Sequence, residues 1–140
     1  MRILCLDVGK RRIGVAVSDE TEVCATVLTT VERGRTNGKD FAWLKDLVAE
    51  YQVKEVVVGL PVNMNGQLGD SATEILRYAE TIQKRINLPV KTWDERLSTV
   101  QGERILLEAD LSRKKRKKLI DKLSAQIILQ SYLDYRSRLK

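Results

Sequence analysis

Apolar residues fall along this chain in two rhythms. Ile3 to Leu6 and Ile13 to Val17 are short apolar runs separated by Asp7-Val-Gly-Lys-Arg-Arg12, the pattern of two strands joined by a polar turn. Val23 to Val31, rich in Val and Thr, reads as a third strand, so the first thirty residues predict an antiparallel meander. Arg33 to Gly38 is a loop by composition. From Asn37 or Lys39 the period changes: Phe41, Leu44, Leu47, Val48 and Tyr51 recur on one helical face, a core stripe that should pack on the sheet. Lys54 to Gly59 is a β-branched run that predicts a central strand, buried on both faces and parallel to the first. Ser71-Ala-Thr-Glu74 has the capping-box pattern and opens a second helix striped by Ile75, Ala79, Ile82 and Ile86 and ended by Leu88-Pro89. Val90 to Glu95 is a further strand. Ser98-Thr-Val-Gln101 offers a second capping box for a helix containing Gly102, and Leu119, Leu123, Ile127 and Leu133 mark a final helix. The predicted fold is α/β: a mixed five-stranded sheet, an antiparallel meander followed by parallel strands, flanked by helices.

Composition narrows this picture. A chain of 140 residues fits one domain spanning 1–140, and 43% hydrophobic residues with two prolines are those of a globular protein without a Pro-rich linker. The apolar run at the N-terminus stops at Asp7 and nothing elsewhere reaches membrane-spanning length, so the expected location is the cytoplasm. Cys5 and Cys24 both fall in predicted strands, where a free thiol behaves as a small buried hydrophobe. The chain contains no histidine, which removes Ser-His-Asp and Cys-His nucleophiles, His-ligated zinc and His general bases together. Any chemistry must come from carboxylates, lysines, hydroxyls or hard metal ions.

The formal net charge is +6, and all of the excess is C-terminal: residues 1–112 carry 15 Lys and Arg against 17 Asp and Glu, whereas 113–140 carry 10 against 2. The run Arg113-Lys114-Lys115-Arg116-Lys117-Lys118 sweeps all round a helix axis and so can bury no face. It precedes the final predicted helix, where cations oppose the macrodipole by about 0.3–1 kcal/mol each, so a polyanionic partner accounts for it better than local stability does. Nucleic acid stands ahead of membrane because no large apolar helical face accompanies the charges.

Three carboxylates occupy comparable places. Asp7 ends the first strand beside a turn whose Gly9 permits close backbone approach and whose Lys10, Arg11 and Arg12 are cationic; Glu95 ends the last strand; Asp121 stands in the first turn of the final helix. Asp94 and Glu95 face opposite ways because strand side chains alternate, and the residues do not say whether Asp94 or Asp19 joins the others. The loop Leu60 to Asp70, at a strand's carboxyl end, is expected to line the cleft. If the three acids converge, each pair at ~4 Å repels by about 4 kcal/mol at an effective dielectric of 20. Divalent cations relieve that repulsion, and oxygen ligands without His select Mg²⁺ or Mn²⁺.

These stretches resemble a known family. Asp7-Val-Gly-Lys-Arg-Arg-Ile-Gly-Val-Ala-Val-Ser-Asp19, Val58-Gly-Leu-Pro61 with Met64, Gly66 and Gly69, Asp94-Glu-Arg-Leu-Ser-Thr99, and Lys117 to Ala125 with Ile128 to Leu133 look like the successive motifs of the YqgF/RuvX family. The resemblance covers nearly the whole chain. It implies an RNase H-like fold of the RuvC Holliday junction resolvase type and an activity described for the family as a pre-16S rRNA nuclease in 5′-end maturation. By position it implies Asp7, Glu95 and Asp121 as catalytic acids. Ser124 departs from the Ala usual there and leaves Asp121 intact.

The mechanism implied is metal-dependent phosphodiester hydrolysis, two ions ~3.5–4 Å apart with Asp7 bridging them. Lys10, Arg11, Arg12, Arg96 and the 113–118 run would bind backbone phosphates. RNA and branched DNA both stay open as substrates, rRNA precursor favoured, as do contact with ribosomal particles and a monomeric or homodimeric state. Two rival classes remain: a non-catalytic RNA-binding assembly factor that keeps the basic surface, and a nucleotide-binding phosphotransferase, because an Asp-x-Gly hairpin also opens the actin-like ATPase fold. The latter normally needs two such domains, and 140 residues argue against it.

Overall fold

A computed structural model of the chain describes residues 1–33, 41–98 and 112–139, the last without the side chains of 113 and 116–122. β1 (Arg2–Val8), β2 (Arg12–Ser18) and β3 (Ala25–Glu32) form the antiparallel meander, and β4 (Val53–Leu60) and β5 (Val90–Asp94) extend it as parallel strands. The order across the sheet is β3-β2-β1-β4-β5, which puts β1 at the centre and β4 beside it, parallel as predicted.

Because side chains alternate along each strand, the sheet sorts its residues between two cores. Leu4, Leu6, Ile13, Val15, Val56 and Val58 face one way, against α1 (Ala42–Glu50) and α2 (Asp70–Ile86). Phe41, Leu44, Ile75, Tyr78, Ala79 and Ile82 fill that layer, so both predicted stripes are core. On the opposite face Ile3, Cys5, Ala16 and Val57 meet α3 (Arg113–Arg138) through Ala125, Ile128, Leu129, Tyr132 and Leu133. The strand residues here are smaller, and α3 lies close over the sheet. Trp93 of β5 fastens it, donating its ring N–H to Ser131 Oγ at 3.2 Å and stacking edge-on against Tyr132.

Three local expectations are corrected, and a fourth falls mostly outside the described residues. The third strand begins at Ala25, because Asp19 accepts the backbone N–H groups of Val23 and Cys24 and holds residues 19–24 as a turn; Cys24 is exposed there while Cys5 is buried. The Ser71 capping box does not form. α2 starts two residues earlier with Gly69 as its N-cap, and Glu74, which would have to reach back, is engaged by Arg33 instead. Ser98 donates to the Glu95 carbonyl at 2.6 Å; the rest of that second box, Gly102 and its helix lie outside the described residues. Finally, the basic run does not precede the last helix but forms its first turns. Ser112 caps α3 by accepting the Lys115 N–H, which puts Asp121 well inside the helix instead of in its first turn.

Candidate active site

Asp7 is the last residue of β1 on the α3 face, two places beyond Cys5, and it pairs across the ladder with Gly14 of β2. On its other side runs β4, whose residue on the same face at this level is Gly59. Glu95, expected to end the last strand, instead opens the 3-10 turn Glu95–Ser98 that follows β5, because the strand stops at Asp94. Its side chain lies flat on the Gly59 backbone: a Cβ built on Gly59 would stand 2.7 Å from Glu95 Oε1, 3.3 Å from its Cγ and 2.9 Å from Ile128 Cδ1. A Cβ on Gly14 would meet the Asp7 and Ala125 Cβ atoms at 3.7 and 3.6 Å, ordinary contact. The floor of the site is therefore made of glycine and alanine, and the space a side chain would fill at Gly59 holds a carboxylate.

The two acids meet. Glu95 hydrogen-bonds Asp7, and its pKa is pushed up to about 7, first by burial and then by the Asp7 charge, that hydrogen bond and the charge of Asp94. Behind them the Cys5 thiol is raised well above its usual range by burial, with Asp7 and Glu95 adding to the effect. Two carboxyl groups pressed together over the Gly59 backbone form a cluster of oxygen donors that disfavours a second negative charge. Among the described residues no group of three His, Cys, Asp or Glu side chains could hold a metal ion. The Asp121 side chain lies outside the described residues; its backbone sits in α3 one helical turn ahead of Ala125, which borders Gly14.

The other acids are accounted for elsewhere. Asp19, at the opposite end of β2 from the Gly14 pairing, accepts from Thr21 Oγ1, Val23 N and Cys24 N, and these bonds draw its pKa down to about 2. Asp94 is wrapped by Arg96, whose Nε and Nη2 reach its carboxylate at 3.0 and 2.6 Å, so it is held below the usual carboxylate range. Of the cations, Lys10 and Arg11 are exposed on the β1–β2 turn, Arg12 is exposed within 3.6 Å of Glu32, and Lys114 and Lys115 are exposed at the start of α3. The side chains of Arg113, Arg116, Lys117 and Lys118 lie outside the described residues. Arg96 also reaches the Asn63 carbonyl at 3.4 Å, which binds the 61–69 loop to the segment carrying Glu95.

Sequence reasoning passed over Gly14 and Gly59. Both stand inside apolar strands, where glycine is a poor packing residue, and that misfit was the available signal of a close approach.

A meander continued by parallel strands in the order β3-β2-β1-β4-β5, with α3 across one face, is the RNase H-like architecture. The chain is similar in fold to Thermus thermophilus RuvC, solved in complex with a Holliday junction substrate, at a TM-score of 0.63 and 14% identity over 98% of this chain and 96% of that one. Residues 1–135 match the family model described as "RuvX: Holliday junction resolvase". The chain belongs to the RuvX family of resolvase-like nucleases, and its relatives are close. A protein of Halothermothrix orenii named "Putative pre-16S rRNA nuclease" is 50% identical over 139 residues, 99% of each chain. Proteins of the same name from Clostridium acetobutylicum and Listeria monocytogenes serotype 4b are 51% and 53% identical, each over 96% of this chain and 98% of the relative.

Proposed function

We propose that the chain hydrolyses phosphodiester bonds of structured RNA in a metal-dependent reaction, with the 5′ end of precursor 16S rRNA as its substrate. The observation that carries this reading is the pairing of Asp7 with Glu95 over the bare backbone of Gly59. The donor set fits a hard divalent cation: oxygen only, mutually repelling, and seated on a floor that a single Cβ would obstruct. Asp7, Glu95 and Asp121 are the residues that would hold Mg²⁺ or Mn²⁺, and a cation there supplies a water of lowered pKa and neutralises charge at the departing oxygen.

The rest is the work of the chain. Asp7, anchored in the central strand, fixes one side of the site. Glu95 comes from a turn tied by the Ser98 and Arg96 bonds, so its carboxylate is placed before substrate arrives. Lys10, Arg11 and Arg12 stand beyond Asp7 to receive flanking phosphates. Arg96, held against Asp94, presents its outer edge beside the 61–69 loop. Lys114 and Lys115, with Arg113 and 116–118, lie along α3 about 15 Å of helix rise from Ala125, which lengthens the track for a phosphate backbone without reading its bases. The chain would work as one nuclease domain in the cytoplasm, alone or as a homodimer, on precursor rRNA within a ribosomal particle.

A second reading, cleavage of branched DNA, is favoured by the description of the matching family. One experiment separates the two: a precursor rRNA fragment and a four-way DNA junction are incubated in parallel with Mn²⁺ or EDTA, with Asp7→Asn as control. Metal-dependent RNA cutting that the variant loses supports the proposal. Cutting of the junction alone moves the substrate to DNA, and binding without cutting of either makes the chain an assembly factor.

A further inference from the structure

The turn between β1 and β2 is gripped by a residue outside the motifs. Arg33, just past β3, donates its backbone N–H to the Arg11 carbonyl at 2.8 Å and its Nη1 to the Gly9 carbonyl at 3.0 Å. Its Nη2 meets Glu74 Oε1 of α2 at 2.5 Å, and its guanidinium lies over the Tyr78 ring, 5.5 Å from the centroid. Within the turn the Gly9 N–H donates to the Arg12 carbonyl at 2.8 Å. The carbonyls of Gly9, Arg11 and Arg12, which would repel a phosphate, are thus each engaged by a donor of the chain, while the Lys10 and Arg11 side chains are exposed.

Arg33 itself is poorly placed to meet a substrate: its side chain is 21% exposed, against 61% for Glu74. A planar fork of donors that bridges a carbonyl and a carboxylate while lying on an aromatic face is fixed in every direction. We propose that Arg33, Glu74 and Tyr78 form a clamp tying the cationic turn to α2, and that Arg33 is a positioning residue for Lys10 and Arg11 instead of a phosphate ligand. The phosphate that those two cations receive rests on the nuclease reading above; the clamp is a property of the free protein. A tethered turn has lost its freedom before binding, so less affinity is spent on ordering it.

Glu74→Gln decides between positioning and direct contact because the two give opposite signs. If Arg33 bound phosphate, removing its carboxylate partner would release a cation and delete a repelling charge, and binding would tighten. The clamp requires the reverse. In EDTA, the affinity for an end-labelled RNA hairpin is expected to fall about 3–10-fold in Glu74→Gln and by at least as much in Arg33→Lys, which keeps the charge but loses the fork. Hydrogen exchange at the amides of residues 9–12, in protein free of nucleic acid, is expected to quicken about tenfold in both variants while the α3 amides stay unchanged. Unchanged exchange in the turn, or tighter RNA binding by Glu74→Gln, overturns the clamp. Should the unmodified protein bind no nucleic acid, the nuclease reading fails, and the exchange measurement still decides the clamp.

Discussion

Glu55 and Glu95 lie at opposite ends of the same face of the sheet, both beneath α3, and the fold treats them in opposite ways. Glu55, in β4, is 7% exposed; it accepts a hydrogen bond from the Tyr132 hydroxyl and lies 3.7 Å from Lys91 and 3.8 Å from Arg136. Among the described residues, the charges that act on Glu95 are those of Asp7 and Asp94, both of its own sign. Among the described residues, the buried Glu55 has cations beside it, whereas the half-buried Glu95 has carboxylates beside it. Burial of a carboxylate costs free energy unless it is paired, so two acids pressed together invite a cation more than an acid that already has cations beside it. The difference separates an acid that holds α3 to the sheet from one pressed against a second carboxylate.

The largest effect should come from the Asp7–Glu95 end. Asp7→Asn keeps the shape and hydrogen-bonding capacity of the side chain and removes its charge; cleavage in single-turnover assays is expected to fall by at least about 10²–10³-fold with the melting temperature little changed. Gly59→Ala tests the floor of the same site without touching an acid. Its methyl group would lie 2.7 Å from Glu95 Oε1 and 2.9 Å from Ile128 Cδ1, so Glu95 must move. Activity should drop about 10–10²-fold, with roughly 1–3 kcal/mol of stability lost to overpacking, whereas Gly14→Ala, meeting its neighbours at 3.6–3.7 Å, should do neither. Equal effects from the two glycines would show that Gly59 matters only for packing.

At the compensated end the expectation inverts. Glu55→Gln keeps an acceptor for Tyr132 but leaves the Lys91 and Arg136 cations without their carboxylate. Both pairs are long and Lys91 is 57% exposed, so the cost should be about 1–2 kcal/mol in chemical denaturation, below that of breaking a fully buried pair. Cleavage should stay within about twofold of the unmodified protein. A large loss of activity from Glu55→Gln would remove the distinction between the two ends.

Much of this was legible in the sequence, and what was not follows a pattern. The stripes of α1 and α2, the parallel central strand and carboxylates at the carboxyl ends of β1 and β5 were readable because each is a local signal, a period or an interruption of one, whereas the last helix packs through Ala125, Ile128, Leu129 and Tyr132 beside the predicted Leu133. That Glu95 turns toward Asp7 while Asp94 is taken by Arg96 needed the chain's path beyond β5. The compensation of Glu55 was hidden because its partners come from β5 and from α3, 36 and more positions away in sequence. Capping failed as a guide at Ser71 because Arg33 competes for Glu74, and at the basic run because Ser112 starts the helix before the cations. Local patterns located the elements; only tertiary contacts told which acid was satisfied.

The smallest effect is the most direct measure of how far Glu95 departs from Glu55. Without a bound cation, the folded protein keeps Glu95 protonated up to about pH 7, whereas an unfolded chain ionises it near 4.5. Between those values ionisation costs the folded state, so this site destabilises the protein progressively as pH rises through that window and by its full amount above it. Glu95→Gln is neutral at every pH. In EDTA it should therefore be more stable than the unmodified protein at pH 8, by about 1 kcal/mol once solvent screening of a partly exposed carboxylate is allowed for, and the gain should vanish below pH 4.5. Thermal melts of both proteins from pH 4 to 8 would show it. Added Mn²⁺ should reverse the order at pH 8, since the cation stabilises only the folded chain that still carries both acids. A Glu95→Gln protein less stable than the unmodified one at pH 8 in EDTA would mean that the Glu95 charge is compensated after all.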